Sequence, residues 1–538
     1  MLINNYWRKL NIRPELKNGT IQTVQVQVQV QVQVQVKVKV KVKVKVKVEK
    51  QKEEENVEEK LFIFLIKWMY KKNKNDTIIN LIMSTSTCEF LPDFAACRAS
   101  IVQLMRGARH TIFYSTFLCD FHEPLADDGT TFLSLIDECA TRGVRVHVLM
   151  NPVVDYGQQS PAHVLAKYAS GQVDVRCVVG SLGPNWLTRH FSRNTKYSYH
   201  HQKYLCMDGE RIMVTGCDIN SERAGWLRKN RLNYFWHELS VVVPCTPAMH
   251  RFCVRNHASV NARPPQPLTT GVDEHDELYY RIMGAKHSVH IENQILITFG
   301  DAQRNKIGQA IMQRISNAVL HGDTFHVVIL TNTRQDDEPS RLVHLYCRTM
   351  VTWSMQSAYA LGAKYGLTAR EVRAHLFIGR LECAGTLIKV HSNIVFVDSK
   401  WMLRSSSNLS DRSWSPRPCD TELGVVVQGA SVRQFQQLLF HRYVTADFPD
   451  QHQEDSQRDP SIRNVSAQNK RGPSSEISFV DFFAACVGER GCLRVMEHPP
   501  SYYYYLVKLV AWILFTLGRS AGGGHERVTW TNTSLNLK

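Results

Sequence analysis

Two segments of this chain repeat one spacing of reactive side chains. The first is His201-Gln-Lys203-Tyr-Leu-Cys-Met-Asp208, and the second is His391-Ser-Asn393-Ile-Val-Phe-Val-Asp398. On an extended strand, residues i and i+2 share a face. His201 and Lys203 therefore project together, one able to act as nucleophile or acid, the other to hold a phosphate oxygen. Asn393 stands where the first segment has Lys203; an amide donates a hydrogen bond but carries no charge. Asp208 precedes Gly209, the chemistry of a tight turn, so Asp208 and Asp398 are site candidates and turn formers alike. Asp218 and Asn220 follow the first segment, and Ser406 and Asn408, again i and i+2, follow the second. Glu238 in Trp236-His-Glu-Leu-Ser-Val and Glu422 in Asp420-Thr-Glu-Leu-Gly are parallel carboxylates able to orient an imidazole. His200 falls on the opposite strand face and is expected to be a neighbour rather than a catalyst.

The elements that must position these residues read as an internal duplication from about residue 90 to 445. In the first half, Ala108-Arg-His-Thr-Ile-Phe-Tyr-Ser leads to a helix at about 131–142 and a strand over 143–150. In the second half, Ala285-Lys-His-Ser-Val-His-Ile-Glu leads to a helix at about 307–320 and a strand over 324–330. Each half then carries its histidine segment on a strand hairpin. Strands alternating with helices predict an α/β fold of two pseudo-repeated lobes. Each lobe is a mixed β-sheet flanked by helices, with the active site at the lobe interface. The expected boundaries are a low-complexity basic extension over 1–82, a first lobe over 90–265 and a second over 266–447. A linker and apolar tail fill 448–538.

The His-x-Lys-x4-Asp segment resembles the HKD motif of the phospholipase D superfamily. Ile291-Glu-Asn-Gln294 and Ser406-Ser-Asn-Leu-Ser-Asp-Arg-Ser413 are similar to segments of the eukaryote-type enzymes. That resemblance implies a phosphodiesterase that hydrolyses or transphosphatidylates membrane phospholipids. One histidine, assigned as His201 with the reverse open, forms a phosphohistidine; His391 serves as acid and base. Glu238 and Glu422 would set the histidine tautomers. Lys203, Ser406 and Asn408 would hold the phosphate oxygens, with Asn393 and Asp218 also in the substrate set. The scheme needs no cofactor and no metal. The departure from the family pattern is Asn393, which predicts weakened or substrate-shifted activity. The competing readings are a nucleic-acid phosphodiesterase, a catalytically weakened lipid-binding scaffold, and phosphatidyl transfer in phospholipid synthesis.

Charge and composition bear on partners. The formal charge is +16, yet residues 1–75 alone hold 17 Lys/Arg against 7 Asp/Glu. The rest is only mildly basic, which disfavours nucleic acid and suits a phospholipid membrane surface, with water or a primary alcohol as acceptor. The 14 cysteines show no C-x-x-C pair and read as thiols of a reducing, cytoplasmic compartment. No cleavable signal peptide opens the chain. Residues 24–48 alternate Val with Gln and then Lys, a low-complexity tract with strand periodicity. The apolar run 502–517 is shorter than a usual membrane span; a C-terminal membrane anchor or interfacial helix competes with a buried or artefactual tail, which the shortness favours. The duplication makes a second chain unnecessary, so a monomer is expected.

Overall fold

A computed structural model describes residues 13–17, 20–30, 38–44, 88–150, 172–177, 200–219, 226–229, 232–259, 270–296, 299, 306–332, 354–383, 386–409, 413, 421–446 and 476–496. The linker at 448–475, the apolar run 502–517 and Asn220 lie outside the described residues. The chain divides into two compact units, Met1–Ile78 and Ile79–Lys538. In the first, β1 (Arg13–Lys17), β2 (Thr20–Val30) and β3 (Val38–Val44) form an antiparallel sheet. Two described stretches of the alternating tract thus pair with each other. Its period of two lets the register match valine to valine, from Val24↔Val44 to Val30↔Val38.

The second unit holds two sheets. The first half contributes β4 (Glu89–Leu91), α1 (Phe94–Gly107), β5 (Thr111–Ser115), α2 (Phe132–Thr141), β6 (Arg145–Met150) and β7 (Val173–Cys177). It continues with β8 (Tyr204–Met207), β9 (Arg211–Thr215), β10 (Trp226–Lys229), β11 (Leu232–His237), β12 (Ser240–Pro244) and α3 (Pro247–Ser259). Polar residues start the helices: Asp93 accepts from the Ala96 amide at 2.8 Å, and Thr131 and Ser134 form a capping box. The seven-stranded sheet runs β4-β12-β9-β8-β5-β6-β7.

The second half contributes α4 (Thr270–Met283), β13 (Ser288–Glu292), α5 (Ile307–His321), β14 (His326–Leu330), α6 (Ala369–His375), β15 (Leu376–Cys383) and β16 (Thr386–Val390). Then come β17 (Ile394–Val397), β18 (Trp401–Ser405), β19 (Gly424–Gln428), α7 (Ala430–Thr445), α8 (Phe479–Val487) and β20 (Leu493–Val495). The ten-stranded sheet runs β10-β11-β16-β15-β14-β13-β17-β18-β19, with β20 on β15. The duplication is plain in the pairing. β5 lies between parallel β6 and antiparallel β8, as β13 lies between parallel β14 and antiparallel β17.

Each sheet buries both faces, which is why its strands read as apolar runs. On the outer faces, α1 and α2 cover Ile112, Val146 and Val148, while α4 and α5 cover Val289, Ile291 and Ile329. Between the sheets a shared core joins Cys206, Val214, Leu239 and Val241 to Val328, Ile388, Val390 and Phe396. Each large apolar side chain buried there contributes about 1.5–3 kcal/mol.

Two expected boundaries need correction. The β10–β11 hairpin belongs to the first half in sequence but joins the second sheet, β11 pairing in parallel with β16. The chain after 447 is also not all linker and tail. Phe482 of α8 stacks on Phe440 at 3.8 Å, and β20 pairs with β15. Short elements outside the repeat frame leave little periodicity to read; their apolar faces are satisfied by the second lobe.

Asp208 and Asp398 occupy equivalent hairpins in the left-handed region, both at φ 52°. Asp208 accepts the amides of Arg109, His110 and Thr111 at 2.7–2.8 Å. Asp398 accepts those of Lys286, His287 and Ser288 at 2.8–3.0 Å. Burial pushes the Asp208 carboxyl upward, but these amides outweigh it and leave it below its usual range. Each aspartate sits a full strand away from its histidine and ties its hairpin to the segment entering β5 or β13. The catalytic assignment of Asp208 and Asp398 is therefore replaced by a structural one. Asp208→Ala and Asp398→Ala should each lower stability by about 2–3 kcal/mol in urea unfolding; a loss below about 0.5 kcal/mol would contradict the clamp.

Candidate active site

The two histidines lie at the starts of equivalent hairpins, each against a strand from the other half. The His201 amide donates to Thr421 O at 3.0 Å, and the His391 amide donates to His237 O at 3.0 Å. Thr421 and His237 immediately precede Glu422 and Glu238. Backbone pairing thus delivers each glutamate to the histidine of the opposite half. His201 Nδ1 lies 2.9 Å from Glu422 Oε2, and His391 Nδ1 lies 2.7 Å from Glu238 Oε1. The glutamates are fully buried; the His201 side chain keeps 15% exposure against 3% for His391. A carboxylate hydrogen-bonded to Nδ1, as at His201, sets the tautomer and leaves Nε2 as the other ring nitrogen.

Glu422 also accepts from Ser406 Oγ at 2.5 Å and Ser413 Oγ at 2.6 Å. Burial alone would raise its pKa. The His201 imidazole and the two hydroxyls overcome that and hold the carboxyl below its usual range. Lys203 is buried, donates to His201 O at 3.2 Å and lies 4.0 Å from Asp218 Oδ2. Asp218 Oδ1 accepts from Thr116 Oγ1 and from the amides of Phe117 and Leu118.

The structure reassigns three residues of the expected substrate set. Asn393 Oδ1 accepts the Gln294 amide at 3.1 Å, while Nδ2 donates to Ser406 O at 3.2 Å. Both ends of its amide are occupied, and φ is 43°, a conformation that asparagine tolerates and Lys203 does not adopt. The Ser406 hydroxyl is committed to Glu422. Asp218, a buried anion, balances Lys203 and would repel a phosphate. Asn408 Oδ1 is buried and meets no donor among the described residues.

Several supporting residues were not singled out from the sequence. Beneath the site, Glu292 accepts from Ser392 Oγ at 2.6 Å and Tyr443 OH at 2.5 Å, and its Oε2 lies 3.1 Å from His237 Nε2. Burial drives the Glu292 carboxyl up, but His237 and His290 outweigh it and hold it well below the carboxylate range. Arg404, buried in a strand of apolar neighbours, donates to Leu239 O at 2.8 Å and Asn393 O at 3.1 Å. Gly216 makes room for the seam. A Cβ there would run into the Glu238 carboxylate and the Arg404 guanidinium, and sit 2.9 Å from His391 O. A charged residue within an apolar strand was the available signal for Arg404; nothing local marks Gly216.

His200 is a buried neighbour, with Ser115 Oγ 2.6 Å from Nε2 and Thr421 Oγ1 3.1 Å from Nδ1. Burial, with Lys203 and His201 adding repulsion, lowers its pKa to about 3. Among the described residues one group has a metal-ligand composition, His147, Asp174 and His257 on β6, β7 and α3. Asp174 there is paired with Arg176 at 2.6 Å, and these elements do not carry the two histidines.

No family model matches the chain. It is 27% identical over 216 residues to phospholipase D1 of Rattus norvegicus, covering 36% of this chain and 19% of that protein. It is 26% identical over 167 residues to phospholipase D2 of Bos taurus, covering 28% and 18%. The chain thus spans about a fifth of these relatives' length. Among solved structures, a phosphatidylserine synthase of Haemophilus influenzae aligns with a TM-score of 0.47 at 11% identity, covering 84% of this chain and 98% of that one.

Two outcomes follow from this packing. Gly216→Ala should destabilise by about 1–3 kcal/mol and disturb the His391–Glu238 contact, read by thermal unfolding and the His391 imidazole resonances. An unchanged melting temperature would mean that the seam is looser than the contacts imply. His200 stays neutral in the fold but protonates when unfolded near its ordinary pKa of 6.5. Its contribution is therefore complete above about pH 6.5 and declines toward pH 3, at about 1.4 kcal/mol per pH unit per proton. His200→Gln should flatten the pH dependence of stability over that window; an unaltered slope would show that His200 titrates normally.

Proposed function

We propose that this chain is a phospholipase D-superfamily phosphodiesterase that cleaves membrane phospholipids through a phosphohistidine intermediate. The observation that carries this reading is the crossed pairing of two imidazoles with two buried glutamates in one duplicated frame. A lone histidine on a strand has many explanations. Two related by the repeat, each with Nδ1 on a buried carboxylate, match the demands of a two-step displacement.

His201 is the nucleophile in this reading. It is the more exposed of the two, and Lys203 lies beside it. Ionised Glu422 keeps the proton on Nδ1, so Nε2 presents a lone pair. Attack of Nε2 forms a nitrogen–phosphorus bond and breaks the bond to the head-group oxygen. That oxygen takes a proton from His391 as it leaves. Glu238 stabilises the charge that the acid carries. The now neutral His391 then takes a proton from water or a primary alcohol. The activated oxygen attacks phosphorus, the nitrogen–phosphorus bond breaks, and phosphatidic acid or a phosphatidylalcohol departs. In this reading Lys203 and the Asn408 amide N–H hold the non-bridging oxygens where charge builds up.

The sequence similarity to phospholipases D favours lipid over nucleic acid, as does a basic charge concentrated in residues 1–75. No described helix is long and apolar enough to cross a membrane. One chain carries both histidines and both glutamates, which supports a monomer.

The test is transfer by the full chain from labelled phosphatidylcholine vesicles to a primary alcohol. Phosphatidylalcohol should form, and His201→Ala and His391→Ala should each reduce it by at least about a thousandfold. Product that survives either substitution would reject the two-histidine mechanism. Cleavage of single-stranded DNA in place of lipid would move the activity to nucleic acid.

A further inference from the structure

The second half of the site holds a buried lysine that the histidine motif does not include. Lys389 lies two residues before His391, in Thr386-Leu-Ile-Lys-Val-His391. In the parallel pairing of β11 with β16, Lys389 is opposite Trp236. Two residues further along each strand come His391 and Glu238, which touch at 2.7 Å. Residues i and i+2 share a strand face, so Lys389, His391, Trp236 and Glu238 lie on one side. The alternate residues Ile388 and Val390 turn into the shared apolar core.

The two halves repeat this layout. The Lys389 ammonium lies 3.9 Å from the centre of the Trp236 ring, and that ring meets His391 edge-on at 5.2 Å. The Lys203 ammonium lies 5.4 Å from the centre of the Phe117 ring, and that ring meets His201 edge-on at 5.4 Å. Both lysines are 1% exposed. A cation, an aromatic ring and an imidazole thus follow one another in the same order at each histidine. The lysine is two residues after the histidine in one and two residues before it in the other. Burying an ammonium is costly, and an apolar side chain would fill this strand position more cheaply. Asn393, with its amide held at both ends, supplies no charge.

We propose that Lys389 is the second phosphate-holding cation of this site, supplying from the preceding strand the charge that Asn393 lacks. The proposal rests on the phosphodiesterase reading and names its ligand class: the non-bridging oxygens of a phosphodiester or of phosphate itself. With Lys203 and Lys389 both present, each half of the duplicated site keeps one cation beside its histidine. The Asn393 exchange then moves a charge rather than deleting it.

The experiment compares the full-length protein with Lys389→Met, Lys389→Arg and Lys203→Met. Calorimetry measures inorganic phosphate binding, and vesicle turnover and melting temperature are followed in parallel. Lys389→Met should weaken phosphate binding and turnover by about tenfold to a hundredfold, as Lys203→Met does, while Lys389→Arg keeps most of both. Phosphate binding unchanged in Lys389→Met overturns the proposal, as does a wild-type protein that binds no phosphate. Lost phosphate binding in Lys389→Met, with no lipid turnover even in wild type, rejects the lipid reading and retains Lys389. If Lys389→Met does not fold, the 15N signal of the Lys389 ammonium is read in wild type, assigned by its loss in Lys389→Arg. It should shift on addition of phosphate, and a signal that stays in place overturns the proposal.

Discussion

A histidine that does chemistry must present one ring nitrogen and have the other held. Here the holding carboxylate always comes from the other half of the chain. Glu422 reaches His201 and Glu238 reaches His391 because Thr421 and His237 pair by backbone with those histidines. Neither half by itself completes the pair at His201 or at His391, so the register between the lobes is part of the site. A small slip at the seam would separate both pairs together, and positioning errors near 1 Å are costly to catalysis.

That constraint explains the density of buried charge around the seam. Glu238, Glu422, Asp218, Lys203, Glu292 and Arg404 are all withdrawn from solvent. Each isolated charge would cost several kcal/mol, and a well-matched partner offsets much of this. Glu292 gathers His237, Ser392 and Tyr443, which come from β11, from the residue after His391, and from α7. His237 and Ser392 neighbour Glu238 and His391 on the opposite strand faces. The network therefore fixes from below the strands that carry Glu238 and His391. Gly216 completes the seam by having no side chain where carboxylate, guanidinium and carbonyl converge.

The two halves are not copies at the residue level. Lys203 does not have a positive φ, whereas Asn393 does and braces two loops with its amide. The local chain path changed along with the side chain. An asparagine suits that path because its short polar side chain tolerates the left-handed region and bonds to nearby backbone. Its hydrogen bonds here are structural, whereas Lys203 at the equivalent position lies beside His201 and Asp218.

Much of the fold was legible in the chain. The apolar periodicities that predict helices near 131–142 and 307–320 match α2 and α5, and the following strands match β6 and β14. The repeated histidine segments and paired glutamates were legible too, because reactive residue types at fixed spacing on a strand are a local property. What local pattern cannot hold is which half a side chain will meet. The crossed glutamates, the transfer of β10 and β11 to the second sheet, and the docking of α8 and β20 arise from packing between distant segments. The same holds for Asp208, Asp398 and Asp218, whose types suited a site but whose hydrogen bonds go to the scaffold, and for Ser406, whose hydroxyl is held by Glu422. The sequence by itself determined the duplicated α/β frame and the identity of the reactive groups, since both are written in periodicity and spacing. Only the tertiary structure decided the partner of each group, since burial and charge balance are set across the seam between the lobes.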